Sequence, residues 1–141
     1  MEPYRLAASQ AYRMPQAHHA PPPEVPTILL ARTLPATTIC LQVVVSAQGV
    51  VERAEPLTGR TGCASDGAPT DALLSAAASE AVLQWAYRPA AVCYYPAGRT
   101  APSPGDCSGA ERVEDVAVTL QYAFTFEVIE GQARVRQGRA D

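Results

Sequence analysis

The chain has 141 residues, with eleven basic and fourteen acidic side chains and a net charge of −3 at neutral pH. This length is typical of one domain. Because the arginines are scattered along the chain, no basic face is expected, and the charge argues against binding to nucleic acid or to an anionic membrane surface.

The first predicted segment is a flexible arm over residues 1–26. Its run "APPPEVP" favours an extended, polyproline-like backbone. The pair His18 and His19 has no further histidine or nearby cysteine to complete a ligand set, so we expect a solvated pair, with no metal site and no cofactor. The arm also contains no apolar run of signal-peptide length, so we expect a mature or trimmed form of an exported protein. No membrane-spanning stretch is expected anywhere in the chain.

A β-hairpin is predicted next. The stretch "TILLARTL", from residue 27, indicates a short strand or an extended lead-in that ends at Pro35. In "TICLQVVVSAQGVVERAEPL" the apolar residues alternate, with a turn around Gly49 and a second β-rich run from Val50. One face of the first strand is expected to carry Ile39, Leu41, Val43 and Val45.

Residues 58–69 are rich in glycine and small polar residues, which predicts a loop. A helix is expected from Thr70 or Asp71 to about Tyr87, because the run is rich in alanine and leucine and Pro89 blocks its continuation. Spacings of three and four residues are expected to place on one face Leu74, Ala78, Ala81 and Trp85.

A second irregular segment, residues 91–112, precedes the last strong signal. Apolar and polar residues alternate over residues 116–128, which predicts a long half-buried strand whose aromatic face packs against Trp85. Residues 131–141 are glycine- and arginine-rich and are predicted to form a polar tail. The globular domain is therefore expected to span residues 27–130.

The four cysteines are too far apart for a typical zinc site and favour two disulfides, which implies an oxidising compartment, whereas free buried thiols are the alternative. Four cysteines allow three pairings. We expect pairs Cys40–Cys63 and Cys93–Cys107, of which the second would close a loop of about 15 residues and stabilise the fold by on the order of 3 kcal/mol.

Taken in order, these elements predict an α+β fold: one helix on a small antiparallel sheet, β-β-α-β, in a two-layer sandwich with an enlarged loop before the last strand. Three blocks, "LQVVVSAQGVVERAE", "LLSAAASEAVLQWAYRPA" and "VAVTLQYAFTFEV", resemble the C-terminal domain family of TonB, the periplasmic part of the bacterial energy transducer. The ending W-x-Y-x-P-A is the most specific part. Members of that family generally carry a membrane anchor and a long proline-rich linker, whereas in these 141 residues we expect no anchor and only the short proline run "APPPEVP".

No nucleophile with a base and no paired carboxylates in a cleft are apparent, so the chain is not expected to be an enzyme. The resemblance implies an extracytoplasmic interaction domain that holds a peptide, such as the TonB box of an outer-membrane transporter, by adding a strand along residues 116–128. The partner-binding residues would then include Val118, Leu120, Tyr122 and Phe124.

Other occupants of that strand edge are the arm or a second copy of the chain, which would give a homodimer. The alternative function is a free-standing periplasmic or secreted protein that uses the loop 91–112 as an inhibitor or assembly surface. On that loop, Tyr94 and Tyr95 are candidate partner contacts, although one of two neighbouring tyrosines commonly packs against the core.

Overall fold

The computed structural model describes residues 9–65, 67–103 and 105–139. These residues form a mixed α+β fold with one α-helix, a short 3-10 turn at Thr27–Leu29 and nine strands in three antiparallel sheets. In chain order the elements are β1 Gln10–Arg13, β2 Gln16–His19, β3 Leu34–Val45, β4 Val51–Pro56, α1 Pro69–Leu83, β5 Ala86–Arg88, β6 Ala90–Tyr94, β7 Arg112–Val116, β8 Val118–Ile129 and β9 Gln132–Arg139.

The central sheet has the strand order β4-β3-β8-β9. Strands β3 and β8 pair from Leu34 with Val128 to Val45 with Val118, so their alternating apolar residues share one face. Helix α1 packs on β3 and β4. The fully buried members of this core include Leu41, Val43, Leu74, Val82, Phe124 and Phe126.

The predicted order of β-hairpin, helix and long strand is present in the central sheet and its helix. The prediction had one small sheet, whereas the described residues form nine strands in three sheets. The difference comes from segments of low apolar periodicity that form strands by pairing with stronger ones. Whether such a segment forms a strand depends more on the neighbour with which it pairs than on its own side chains.

The N-terminal arm was predicted to be flexible, but its residues 10–19 contain two short strands. Strand β1 pairs with β6 and strand β2 pairs with β5, so residues 10–19 lie along the chain between Ala86 and Tyr94. Beyond them, Val25 is buried in the main core and the Pro21 carbonyl accepts a hydrogen bond of 2.7 Å from Trp85 Nε1. Backbone pairing is available to a proline- and histidine-rich segment at a sheet edge because it requires few apolar side chains.

The polar tail is also corrected. Residues 132–139 form β9, which pairs with β8 along its whole length. Between the two strands, Glu130 and Gly131 have φ values of 50° and 76°, as a two-residue hairpin turn requires.

The helix ends earlier than expected, because residues 86–88 leave it and form β5. It begins at Pro69, where a missing backbone N–H costs nothing. Its buried face consists of Leu74, Ser75, Ala78 and Val82, so Val82 takes the place predicted for Ala81. Trp85, just beyond the helix, is 3% exposed and lies in the core as predicted.

Candidate functional site: the sheet edge and two disulfide loops

The side chains on β8 that were predicted to bind a partner belong to the main core or pack against it. Val118, Leu120 and Phe124 are buried, and Tyr122 is half-buried with its hydroxyl 2.8 Å from that of Tyr87. Trp85 meets Tyr122 and Phe124 edge-on, with ring centroids 5.5 and 6.0 Å apart. The predicted contact between Trp85 and the aromatic face of residues 116–128 is therefore confirmed. These aromatic side chains pack together in the core.

Strand β8 is also not an edge. It lies between β3 and β9, so the chain's own strand β9 occupies the side of β8 that was predicted to be open. Gly131, which follows the alternating run of β8 almost directly, is a turn signal that sequence reasoning could have used. Strand β9, which was predicted to be a polar tail, is therefore the strand at this edge of the central sheet.

Strand β9 is an eight-residue edge strand, and no strand in the described part of the chain pairs with its outer side. Val135 packs against the main core, whereas Arg134 and Arg136 are exposed on the other face. Glu127 is the cross-strand partner of Arg134, and Thr125 is that of Arg136. The β8–β9 turn borders a shallow depression lined by Ile129, Glu130, Gln132 and Arg134.

The first disulfide, Cys40–Cys63, is formed as predicted and ties residues 57–65 to the central sheet. Cys40 alternates with the core residues of β3, so its side chain and the loop lie on the outer face of the sheet. Two backbone bonds reinforce this link, from Leu57 N to the Cys40 carbonyl and from Ala64 N to the Thr38 carbonyl, each 2.8 Å. We call this segment, residues 57–65, the sheet-bound loop.

A side chain fastens the middle of the sheet-bound loop as well. Arg60 Nη1 donates a hydrogen bond of 2.6 Å to Gln121 Oε1 on β8. The guanidinium is charged and holds a neutral amide oxygen, a stronger kind of hydrogen bond than one between two neutral groups. The loop therefore has side-chain, backbone and covalent contacts to the same sheet.

The second disulfide, Cys93–Cys107, is also formed as predicted. It closes the segment between β6 and β7, of which we call residues 96–103 the free loop. At its base Tyr95 is 6% exposed and packs in a small second core with Ala11 and Cys93. Its hydroxyl lies 2.8 Å from the Asp106 carbonyl and 3.2 Å from that of Ser108, so it donates to one or shares its hydrogen between both.

The two adjacent tyrosines consequently have different surroundings. Tyr95 packs inward, whereas Tyr94 is half-buried and carries the Arg112 guanidinium 4.0 Å from the centre of its ring, within the range of a cation–π contact. Burial, and then the negative charge of Asp106, raise the pKa of Tyr95 above its ordinary value of 10.0. The pKa of Asp106 is lowered by hydrogen bonds from Ser108.

The histidine pair of the arm lies in β2 with both side chains exposed. Within residues 9–65, 67–103 and 105–139, no group of three or more His, Cys, Asp or Glu side chains is placed to hold a metal ion. In the same residues no helix has both the length and the apolar character needed to cross a membrane. The two disulfides indicate an oxidising environment outside the cytoplasm.

Comparison of the chain with protein-family models, with curated proteins and with solved structures finds no match.

Proposed function

We propose that this chain is an extracytoplasmic protein-interaction domain that binds an extended segment of a partner protein by strand addition at β9. The observation that carries the proposal is the edge itself: β9 offers eight residues of backbone, and no strand in the described part of the chain pairs with its outer side. An extended peptide satisfies such N–H and C=O groups with little demand on its sequence.

The charge of β9 selects the partner. The strand "QARVRQGR" contains three arginines and no acidic residue, although the whole chain has a net charge of −3. Opposite charges on neighbouring strands stabilise a sheet by roughly 0.2–1 kcal/mol for each pair, and like charges destabilise it. We therefore expect an acidic extended segment, rather than a second copy of β9, to occupy this edge.

The other edge of the central sheet is a weaker candidate. Strand β4 has six residues, ends in Pro56 and carries Glu52 and Glu55, so it is shorter and offers no excess of positive charge. Its Arg53 lies 3.9 Å from Glu55, which partly neutralises it. For an acidic peptide, β9 is the better template in length and in charge.

The resemblance to the TonB C-terminal domain supports the same mode of binding but not the same strand. In that family the partner peptide is understood to lie beside the last strand of the β-β-α-β unit, a position that β9 takes here. The partner would therefore lie one strand further out. By resemblance, the compartment would be the periplasm of a Gram-negative bacterium and the process would be envelope transport or energy transduction.

The test uses two fluorescein-labelled twelve-residue peptides. One alternates glutamate and valine, and its control has the same glutamates with proline in place of valine, so that it cannot form a regular ladder of hydrogen bonds. Binding to the full isotope-labelled chain is followed by fluorescence anisotropy and by amide chemical shifts. We expect the first peptide alone to bind, with shifts concentrated in residues 132–139.

Charge reversal supplies the matched variants. R134E/R136E replaces two exposed side chains and should weaken binding about tenfold, which corresponds to about 1.4 kcal/mol. R53E, on the opposite edge strand, should change it little. Equal binding of the proline peptide, or shifts that map to β4 or to the free loop, would refute the proposal.

A second candidate function uses the segment between Cys93 and Cys107 as an inhibitor or assembly surface. The observation in its favour is that residues 96–100 are all exposed while Tyr95 and the disulfide hold the base. Replacing residues 97–102 with glycine and serine, with both cysteines kept, separates the two functions. Peptide binding at β9 should survive this replacement, whereas a partner of the loop surface would be lost.

A further inference from the structure

The two disulfide loops contain almost the same pentapeptide. Residues 58–62 read "TGRTG" and residues 97–101 read "AGRTA", so each loop has an arginine followed by threonine. Arg60 lies between the paired Cys40 and Cys63, and Arg99 lies between the paired Cys93 and Cys107. An arginine-specific protease would accept either sequence, because neither arginine is followed by proline.

The surroundings of the two arginines are different. Arg60 is half-buried and its guanidinium is bound to Gln121, with backbone bonds from Leu57 and Ala64 on either side. Arg99 is exposed together with its neighbours from Pro96 to Thr100. The backbone N–H of Arg99 donates a local hydrogen bond of 3.0 Å to the Pro96 carbonyl, across a turn whose Gly98 has a φ of 81°.

Proteolysis requires several residues on each side of the cleaved bond to extend into the enzyme's cleft, so exposed loop tips are cut first. Arg99 meets this requirement better, because what must open is one short turn, together with the packing of the half-buried Ala101 against the small second core. The Arg60–Thr61 bond can enter such a cleft only if the sheet-bound loop leaves the sheet. Arg32, another exposed arginine between two elements, lies three residues after the buried Leu29 and two before the buried Leu34, which leaves too short a segment.

We propose that the Arg99–Thr100 bond is a processing site for a serine protease of arginine specificity. Such an enzyme binds the guanidinium in a pocket with a carboxylate at its base. One water molecule is added across the C–N bond, which leaves a carboxylate on Arg99 and an amine on Thr100. The Cys93–Cys107 bond keeps both chains together, so the product is a two-chain form with the three sheets intact.

This processing site does not depend on peptide binding at β9. The free loop follows β6, whose strand neighbours are β1 and β7 in a different sheet from β9. Cutting it leaves the central sheet continuous, and the two-chain form should bind the acidic peptide as the intact chain does. Failure of one proposal therefore leaves the other standing.

The test is limited digestion of the native full chain with trypsin, sampled over time. Gels without reductant should show one band, and gels with reductant should show two fragments whose masses together exceed that of the chain by one water. Sequencing of the new N-terminus should read Thr-Ala-Pro. R99Q should abolish this first cut, R99K should restore it, and R60Q should leave its position unchanged.

Three results would overturn the proposal. A first cut at Arg32 or Arg60 would show that another loop is the accessible one. Equal cleavage of R99Q would show that the bond is not the site. Inhibition of trypsin by a chain whose Arg99–Thr100 bond stays intact would assign the loop to inhibition instead of processing.

Discussion

The sheet-bound loop and the free loop are similar in sequence and differ in behaviour because of what lies beneath them. Both contain the tripeptide Gly-Arg-Thr, and both are closed by a disulfide. The sheet-bound loop crosses the outer face of a four-stranded sheet, where Gln121 and the backbone of β3 offer hydrogen-bond acceptors. The free loop follows a strand of the three-stranded sheet, and its residues 96–100 are all exposed.

This difference shows that a disulfide fixes the ends of a loop but not its middle. A crosslink acts mainly by limiting the unfolded chain, and its contribution depends on the length of the closed loop. The order of the residues between the cysteines depends on further contacts in the folded state. The Arg60 side chain donates a hydrogen bond to Gln121, outside its own loop. The backbone N–H of Arg99 donates to the Pro96 carbonyl, within the same turn.

The largest effect is expected from W85A, which acts on the main core. Removing a 3%-exposed tryptophan should lower the free energy of unfolding by about 3–5 kcal/mol, because a cavity remains between the helix end and β8. Denaturant unfolding measures this loss. Under native conditions the variant should still be cut first at Arg99, and a loss below about 1 kcal/mol would show that Trp85 is not a core residue.

Removal of each disulfide should sharpen the comparison. C40A/C63A and C93A/C107A open loops of similar size, with sequence separations of 23 and 14, and each should lose on the order of 3 kcal/mol. Their local effects should differ. Amide hydrogen exchange should rise only modestly in the sheet-bound loop of the first variant, and strongly across the base of the free loop in the second.

Equal increases in exchange in the two disulfide variants would contradict this account. They would mean that the hydrogen bonds of Arg60 and of the backbone near Ala64 contribute nothing once the crosslink is gone. Cys40 and Cys93 are both almost fully buried, so the two double variants create similar cavities at these positions. A difference in exchange between the variants therefore does not come from the cavities.

The smallest effect concerns Tyr95 and alkaline pH. Its pKa is raised in the folded chain, so the neutral hydroxyl stabilises the base of the loop fully below pH about 10, and this stability is lost as the pH rises through the raised pKa. Thermal unfolding should therefore show Y95F to be less stable than the parent chain at pH 8. The difference between the two should shrink toward pH 11.

An absorbance titration of the phenolates provides the control for this prediction. The parent chain should contain one component that titrates later than an ordinary tyrosine, and Y95F should lack it. A difference in stability that does not change with pH would assign the effect to packing in the small second core rather than to the hydroxyl.

Strong apolar periodicity made the central part of the fold predictable. The alternation from Ile39 to Val45 and from Val118 to Val128 defines two long strands, and the block that ends in Trp85 defines the helix between them. Both disulfide pairings were predicted correctly as well. The failures fall on β1, β2 and β9, whose side chains are largely polar, and on β6 and β7, which occupy the two ends of the stretch 91–112 that was predicted to be irregular. All of these strands pair with a neighbour, and that pairing was not predicted.

The amino-acid sequence by itself determined the α+β class, the core strands, the position of Trp85 and the crosslinks, because apolar spacing and cysteine placement are local properties of the chain. Only the tertiary structure decided which strand is the edge and which loop is free. Those outcomes depend on whether a distant segment, such as β9 beside β8 or Gln121 beside Arg60, supplies hydrogen-bonding partners. A pairing energy of this kind belongs to two segments at once, and the side-chain pattern of one of them does not reveal it.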